Sequence, residues 1–243
     1  MSLAFIRVTV AHKLFTHLHS ISSQAPNLQA NNMTEVELEK ILLRQESTHL
    51  EYKSKIDSSY KIARTIAAFA NTSGGTLLIG INDDRTVKGC SEVEEITKLS
   101  EAAELLVDPP LSLQYRSIKY GGKKTVLIIK IDESPEKPHK VLDEEGEKTV
   151  YVRANDQTTP VGKEMTQLLK KNETNVNESL LMQNNVKYLL MYLKKNRRIT
   201  AKEYAKLVNI SETRAKKFLE SLTYEGILLV LKKEKPPQFV CKF

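Results

Sequence analysis

Two alternating runs, LSLQYRSIKY and KKTVLIIKID, meet at Gly121-Gly122, and no other feature limits the possible folds of this chain as much. Apolar and polar residues in alternation mark a strand with one buried face. A glycine pair between two such runs supplies the positive φ angles of a tight hairpin turn. An antiparallel hairpin at this place excludes an all-helical fold and a purely parallel sheet. A second, weaker pair, HKVL and KTVYVR around Glu145-Gly146, extends the antiparallel portion.

Helical patterns lie between the strands. TEVELEKILLR has apolar residues at helical spacing, and Thr34 stands three residues before Glu37 as in a capping box. HLEYKSK reads as a short strand and YKIARTIAAFANT as an amphipathic helix with Ile62, Ile66 and Phe69 on one side. The helix should stop at the Asn71–Gly75 segment, and TLLIGIN then reads as a buried central strand. EVEEITKLSEAAELLV predicts one more helix, ending before Pro109-Pro110, and KEMTQLLKK a short closing one. Interleaved helices and strands with hairpins among them predict an α+β (mixed α/β) fold, not a doubly wound one.

The composition changes along the chain. Residues 1–32 hold Arg7 and Lys13 and no acidic residue, which reads as a disordered extension, a targeting peptide, or sequence upstream of a true start at Met33. Residues 33–172 form the predicted sheet-and-helix domain, and the polar stretch within 173–185 reads as a linker. Residues 186–243 carry 14 Lys/Arg against 5 Asp/Glu, a balance of +9, whereas residues 33–185 carry 21 against 25, or −4. Positive charge gathered in one small module is the footprint of a phosphate-backbone binder.

That module has its own pattern. VKYLLMYLK is helical, with Tyr188, Leu189, Tyr192 and Leu193 available for a core. Thr200 and Glu203 form a capping box, Asn209-Ile210 a turn, and Ser211 an N-cap for ETRAKKFLESLTYEG. ILLVLKK and QFVCKF read as two strands. Three helices followed by a hairpin is the order of a winged helix-turn-helix. Ala215, Phe218, Leu219 and Leu222 should face the core, which turns Arg214, Lys216 and Lys217 to solvent. In a helix-turn-helix this part enters the major groove, and Lys232 and Lys233 fall on the predicted wing.

No apolar run approaches the roughly 20 residues that cross a bilayer, so no membrane span is expected. Cys90 and Cys241 match no metal-ligand spacing and fit a reducing, cytoplasmic setting.

The segments ESTHLEYK and IARTIAAFANTSGGTLLIGINDDRTVKGC, with the later YVRANDQTTPV, resemble the Schlafen-type domain, also called AlbA_2, across roughly residues 40–160. The resemblance implies a DNA-binding transcriptional regulator, since many prokaryotic proteins with this domain are described that way. Its alternative implication is a metal-dependent nuclease acting on RNA or DNA. Eukaryotic Schlafens that cut structured RNA use three carboxylates from these motifs. Carried over, these are Glu46, Glu51 and an acid at or near Asp83, which would hold Mg²⁺ or Mn²⁺ for phosphodiester cleavage. Here Asn82, Asp83 and Asp84 follow Gly80-Ile81, where such sequences often have two acids, so the third position stays open. Lys53, two residues from Glu51, could steady a phosphate, and Arg153 in YVRAND could contact an anion; the alternatives are that Glu46 and Glu51 are solvated or pair with Lys53 or Arg64, and that Arg153 pairs with a carboxylate. The active enzymes pair two copies of the domain, so a homodimer would have to supply the second. Some members of that family are described as ATP-binding, but this chain has no Gly-x-x-x-x-Gly-Lys-Ser/Thr element to cradle phosphates. DNA is the expected partner, with RNA as the alternative.

Overall fold

A Ser58 side chain accepts a hydrogen bond from the Lys61 amide at 3.2 Å and so starts the helix around which the first core is built. The structure is a computed structural model that describes residues 35–170, 178–231 and 235–242. This helix, α2 (Ser59–Asn71), follows α1 (Glu35–Leu42) and strand β1 (Leu50–Lys53). The Thr72 and Gly74 amides both donate back to the Phe69 carbonyl and end it. Gly74 has φ +66°, and a Cβ there would lie 2.7 Å from the Ile131 carbonyl oxygen, so only glycine fits the turn.

The chain then enters β2 (Gly75–Ile79), which pairs in parallel with β1 and antiparallel with β5 (Lys124–Ile131). β4 (Gln114–Tyr120) completes a four-stranded sheet in the order β1-β2-β5-β4. The Gly121-Gly122 hairpin forms as the sequence predicts, with φ of +57° and +70° at the two glycines. Between β2 and β4 lie α3 (Glu92–Glu101), a π-helical turn at Ala102–Leu106, and the short β3 (Val107–Asp108). The predicted single helix over 92–107 therefore loosens in its last turn and ends as a strand.

A second sheet, ordered β3-β6-β7-β8, holds β6 (Lys140–Leu142), β7 (Lys148–Ala154) and β8 (Gln157–Pro160). The β6–β7 hairpin matches the weaker prediction. β8 was not predicted: Asn155 at φ +60° closes a tight turn that asparagine tolerates without a glycine.

After α4 (Lys163–Lys170) come α5 (Glu178–Leu181), α6 (Asn184–Asn196), β9 (Ile199–Thr200), α7 (Ala201–Val208), α8 (Glu212–Tyr224), β10 (Leu228–Leu231) and β11 (Gln238–Cys241). The strands make a three-stranded antiparallel sheet, β10-β11-β9. The capping box at Thr200–Glu203, the left-handed Asn209 (φ 53°, ψ 54°) and the Ser211 cap all form as read from the sequence. Thr34, the first five residues of the predicted 173–185 linker, and Lys232 and Lys233 lie outside the described residues. The remainder of that linker contains α5 and the first two residues of α6.

Strand β7 is buried on both faces, which decides how the chain is assembled. Tyr151 joins the core of α2 and the first sheet, with Phe69, Leu77, Ile79, Leu127 and Ile129. Val150, Val152 and Ala154 point the other way and join Leu189, Leu193, Leu219 and Phe239. One strand thus serves as a common wall for two cores, within the single compact unit Glu35–Phe243. Each fully buried leucine of these two cores contributes about 2 kcal/mol. Among the described residues no helix is long and apolar enough to cross a membrane.

Candidate nucleic-acid interface

The residues singled out in the sequence fall into two regions of opposite character. In the first, side chains alternate along β1, so Glu51 and Lys53 share one face of the strand. The Lys53 ammonium lies 2.6 Å from the Glu51 carboxylate. Glu51 is buried and forms a second ion pair with Arg153, which reaches it from β7. The Arg153 side chain is 1% exposed. Its guanidinium also donates to the Ser47 carbonyl at 3.0 Å and to the Thr158 hydroxyl at 3.2 Å, and lies 4.6 Å from the centre of the Phe69 ring. Its backbone amide donates to the Thr72 hydroxyl at 2.8 Å.

Arg153, read as a candidate anion contact, is therefore enclosed, its two terminal nitrogens engaged and its Nε buried without a hydrogen bond, with no surface to offer a nucleic acid. Lys53 is partly exposed but engaged with Glu51. Glu46 accepts the Tyr52 amide at 2.8 Å through one oxygen. Asp83 stands exposed in the tight turn after β2, where the Asn82 amide donates to the Thr86 carbonyl at 3.0 Å. Beside it, the Thr86 hydroxyl and amide hold the Asp84 carboxyl below the usual carboxylate range. Arg64, the other cation considered as a partner for these carboxylates, lies over the rings of Tyr60 and Tyr151, 6.0 and 5.0 Å from their centres. Burial and then the Tyr60 hydroxyl push the Tyr151 phenol up to about 12.

Among the described residues no three His, Cys, Asp or Glu side chains come together in a way that could hold a metal ion. The expected set of Glu46, Glu51 and Asp83 is thus not assembled: one carboxylate is neutralised by two cations, one caps a backbone amide, and one faces solvent. The donor set does not fit a divalent ion, which needs several convergent, uncommitted oxygens.

The second region is the start of α8. Ala215, Leu219 and Leu222 are buried, and Phe218 is half-buried, stacked on Tyr204 at 5.4 Å between ring centres. This fixes the inner face and leaves Arg214, Lys216 and Lys217 exposed on the outer one, as the periodicity predicts. Lys216 is only 3.9 Å from Glu220, a loose solvent-exposed pair worth little. Lys202 and Lys206 on α7 are exposed as well, two basic positions the sequence reading did not single out. Of the residues assigned to the core of α6, Leu189 and Leu193 are buried, but Tyr188 is 50% exposed. A tyrosine on the outward side of the helix carried no sequence signal to separate it from its inward neighbours.

The Asn155-Asp156 turn was also missed as a contact. The Asn155 amide donates to the Arg197 carbonyl at 3.2 Å, and the Arg197 guanidinium donates to Asp156 at 2.9 Å. A groove of about 460 Å³ lies beside this turn, with Glu46, Ser47 and Thr48 on one side and Lys194 and Arg197 on the other.

The Schlafen, AlbA_2 family model matches residues 46–162. The AlbA_2 region so defined contains Glu46, Glu51, Lys53, Asp83 and Arg153, and ends before α4. Among solved structures, the DIP2311 protein from Corynebacterium diphtheriae is 19% identical over 52% of this chain and 30% of its own, with a TM-score of 0.37. The N-terminal domain of a RecG-related protein from Nitrosomonas europaea is 25% identical over 40% of this chain and 70% of its own, with a TM-score of 0.33.

Proposed function

We propose that this protein is a DNA-binding regulator of the cytoplasm whose C-terminal module is a winged helix-turn-helix and whose α8 enters the major groove. The observation that carries the reading is the exposed trio Arg214, Lys216 and Lys217 on the first turns of a capped helix whose opposite face is locked into the core. A rigid helix that projects cations from one side can dock against phosphates at little conformational cost. The order of α6, α7, α8 and the β10–β11 hairpin suits this assignment, and Lys202 and Lys206 add positive charge to the same module. The concentration of +9 in residues 186–243 gives the electrostatic attraction its sign.

The test is binding of the full chain to a duplex of mixed sequence, followed by fluorescence anisotropy over a range of salt. Affinity should fall steeply with salt as counterions are released. Arg214→Glu with Lys217→Glu should weaken binding by about 100-fold or more, because two phosphate attractions become repulsions. Unchanged affinity in that variant overturns the reading. The pairing of Glu51 with Arg153 and Lys53 does not favour the nuclease alternative. Cleavage of RNA or DNA that requires Mn²⁺ and disappears in Glu46→Ala would restore it.

A further inference from the structure

We infer that Glu51, Lys53 and Arg153 form a buried ion-pair joint that positions the Glu46–Thr48 loop on the groove it shares with α6 and holds the Asn155-Asp156 turn against the end of α6, in the place where the family resemblance implies metal ligands. Arg153 sits near the end of β7, the strand shared by the two cores. Its guanidinium ties three separate segments: Glu51 on β1, the Ser47 carbonyl in the preceding loop, and Thr158 on β8. Two residues further on, the chain leaves β7 and its side chains change target. Asn155 and Asp156 grip Arg197, the residue that caps α6. Asn155 and Arg197 both have positive φ, 60° and 64°, so the two backbones that meet here are held in conformations that non-glycine residues adopt only with support. The segment YVRAND thus faces inward at Arg153 and outward at Asn155-Asp156, and a shift of the first displaces the second.

Charge accounting gives this joint a signature that a metal site lacks. Glu51 neutralises two cations, whereas Arg153 and Lys53 each depend on Glu51. Glu51→Gln leaves Arg153 charged and unpaired in the interior, while Arg153→Met leaves Glu51 still paired with Lys53. Glu51→Gln should therefore be the worse substitution, and adding Arg153→Met to it should recover part of the loss, because the stranded charge is gone.

The experiment uses the full chain and three readouts. By thermal melting, Glu51→Gln should lower Tm by on the order of 10 °C, with Arg153→Met smaller and the double variant between them. By hydrogen exchange, Asn155→Ala with Asp156→Ala, which leaves the ion pairs in place, should speed exchange of α6 amides while those of α2 stay protected. By titration with Mn²⁺ alone, wild type should show no saturable binding that Glu51→Gln removes. Such Mn²⁺ binding overturns the inference. So does equal destabilisation by the two single variants, or unchanged α6 exchange in the turn variant. If Glu51→Gln does not fold, the Arg153→Met melt, the turn variant and the wild-type Mn²⁺ titration still decide.

Discussion

The polar residues of the AlbA_2 region and those of the C-terminal module solve opposite problems. Around β7 the charged and amide groups are turned inward, and each is spent on another part of the chain: Arg153 on Glu51, Asn71 on the backbone of His139 and Tyr151. On α8 they are turned outward and, among the described residues, one loose lysine pair is their only ion pair. Burial of an ion requires full compensation, so inward charges hold segments together and are poor at recruiting ligands. Exposed lysines and arginines stabilise the fold little, which leaves them available for phosphates. Similar residue types therefore read as architecture in one region and as exposed charge in the other, the charge on which the proposed function rests.

The sharpest way to break this contrast is to remove an inward amide. Asn71 is fully buried; its side chain donates to the His139 and Tyr151 carbonyls at 2.8 and 2.9 Å and accepts the His139 amide at 2.7 Å. Asn71→Leu orphans three buried backbone groups and should cost about 4 kcal/mol, read as a drop in the denaturant midpoint. A loss below about 1 kcal/mol would mean that the inward groups are not load-sharing as argued. The opposite arm comes next in size: the Arg214→Glu, Lys217→Glu variant should lose about 100-fold in duplex affinity while its Tm stays within a few degrees of wild type.

His139 sharpens the comparison through pH. Its Nδ1 lies 2.7 Å from the Pro109 carbonyl, which can only accept, so Nδ1 carries the proton of the neutral ring. Nε2 is buried without a partner, and burial holds the pKa below its ordinary value against the opposing pull of the Pro109 carbonyl, then of Glu136 and Asp108. The unfolded imidazole takes up a proton near pH 6.5, while the folded one resists to lower pH. Stability from this site is full above about pH 6.5 and declines below it, by at most about 1.4 kcal/mol per pH unit. Melts at pH 7.5 and 5.5 should show that decline in wild type and a smaller one in His139→Phe. Equal declines would remove His139 as the cause. The smallest effect belongs to the helix that precedes α8: Thr200→Ala breaks the capping box and should cost about 1 kcal/mol, measured by chemical denaturation.

Local patterns carried the secondary structure well, because turns and caps are decided within a few residues. The Gly121-Gly122 hairpin, the α2 stop at Gly74, and the caps at Thr200 and Ser211 all follow from side chains next to the backbone they govern. β8 escaped although a positive φ at Asn155 was readable from the resemblance, because the four residues after the turn, Gln157–Pro160, carry no alternating apolar pattern. The outward basic trio on α8 was equally legible, since helical period separates one face from the other.

The role of Glu51 was half legible: an ion pair with Lys53 was one of its readings, but its second partner, Arg153, is 102 residues away. A carboxylate two positions from a lysine on a strand reads the same whether it awaits a metal or meets an arginine. Sequence by itself determined the local elements, the mixed α/β class, and the gathering of positive charge in residues 186–243. Only the tertiary structure decided that β7 is walled on both sides, and that Arg153 spends its charge inside. Burial and pairing across long separations depend on which surfaces the folded chain brings face to face, and no local pattern records that.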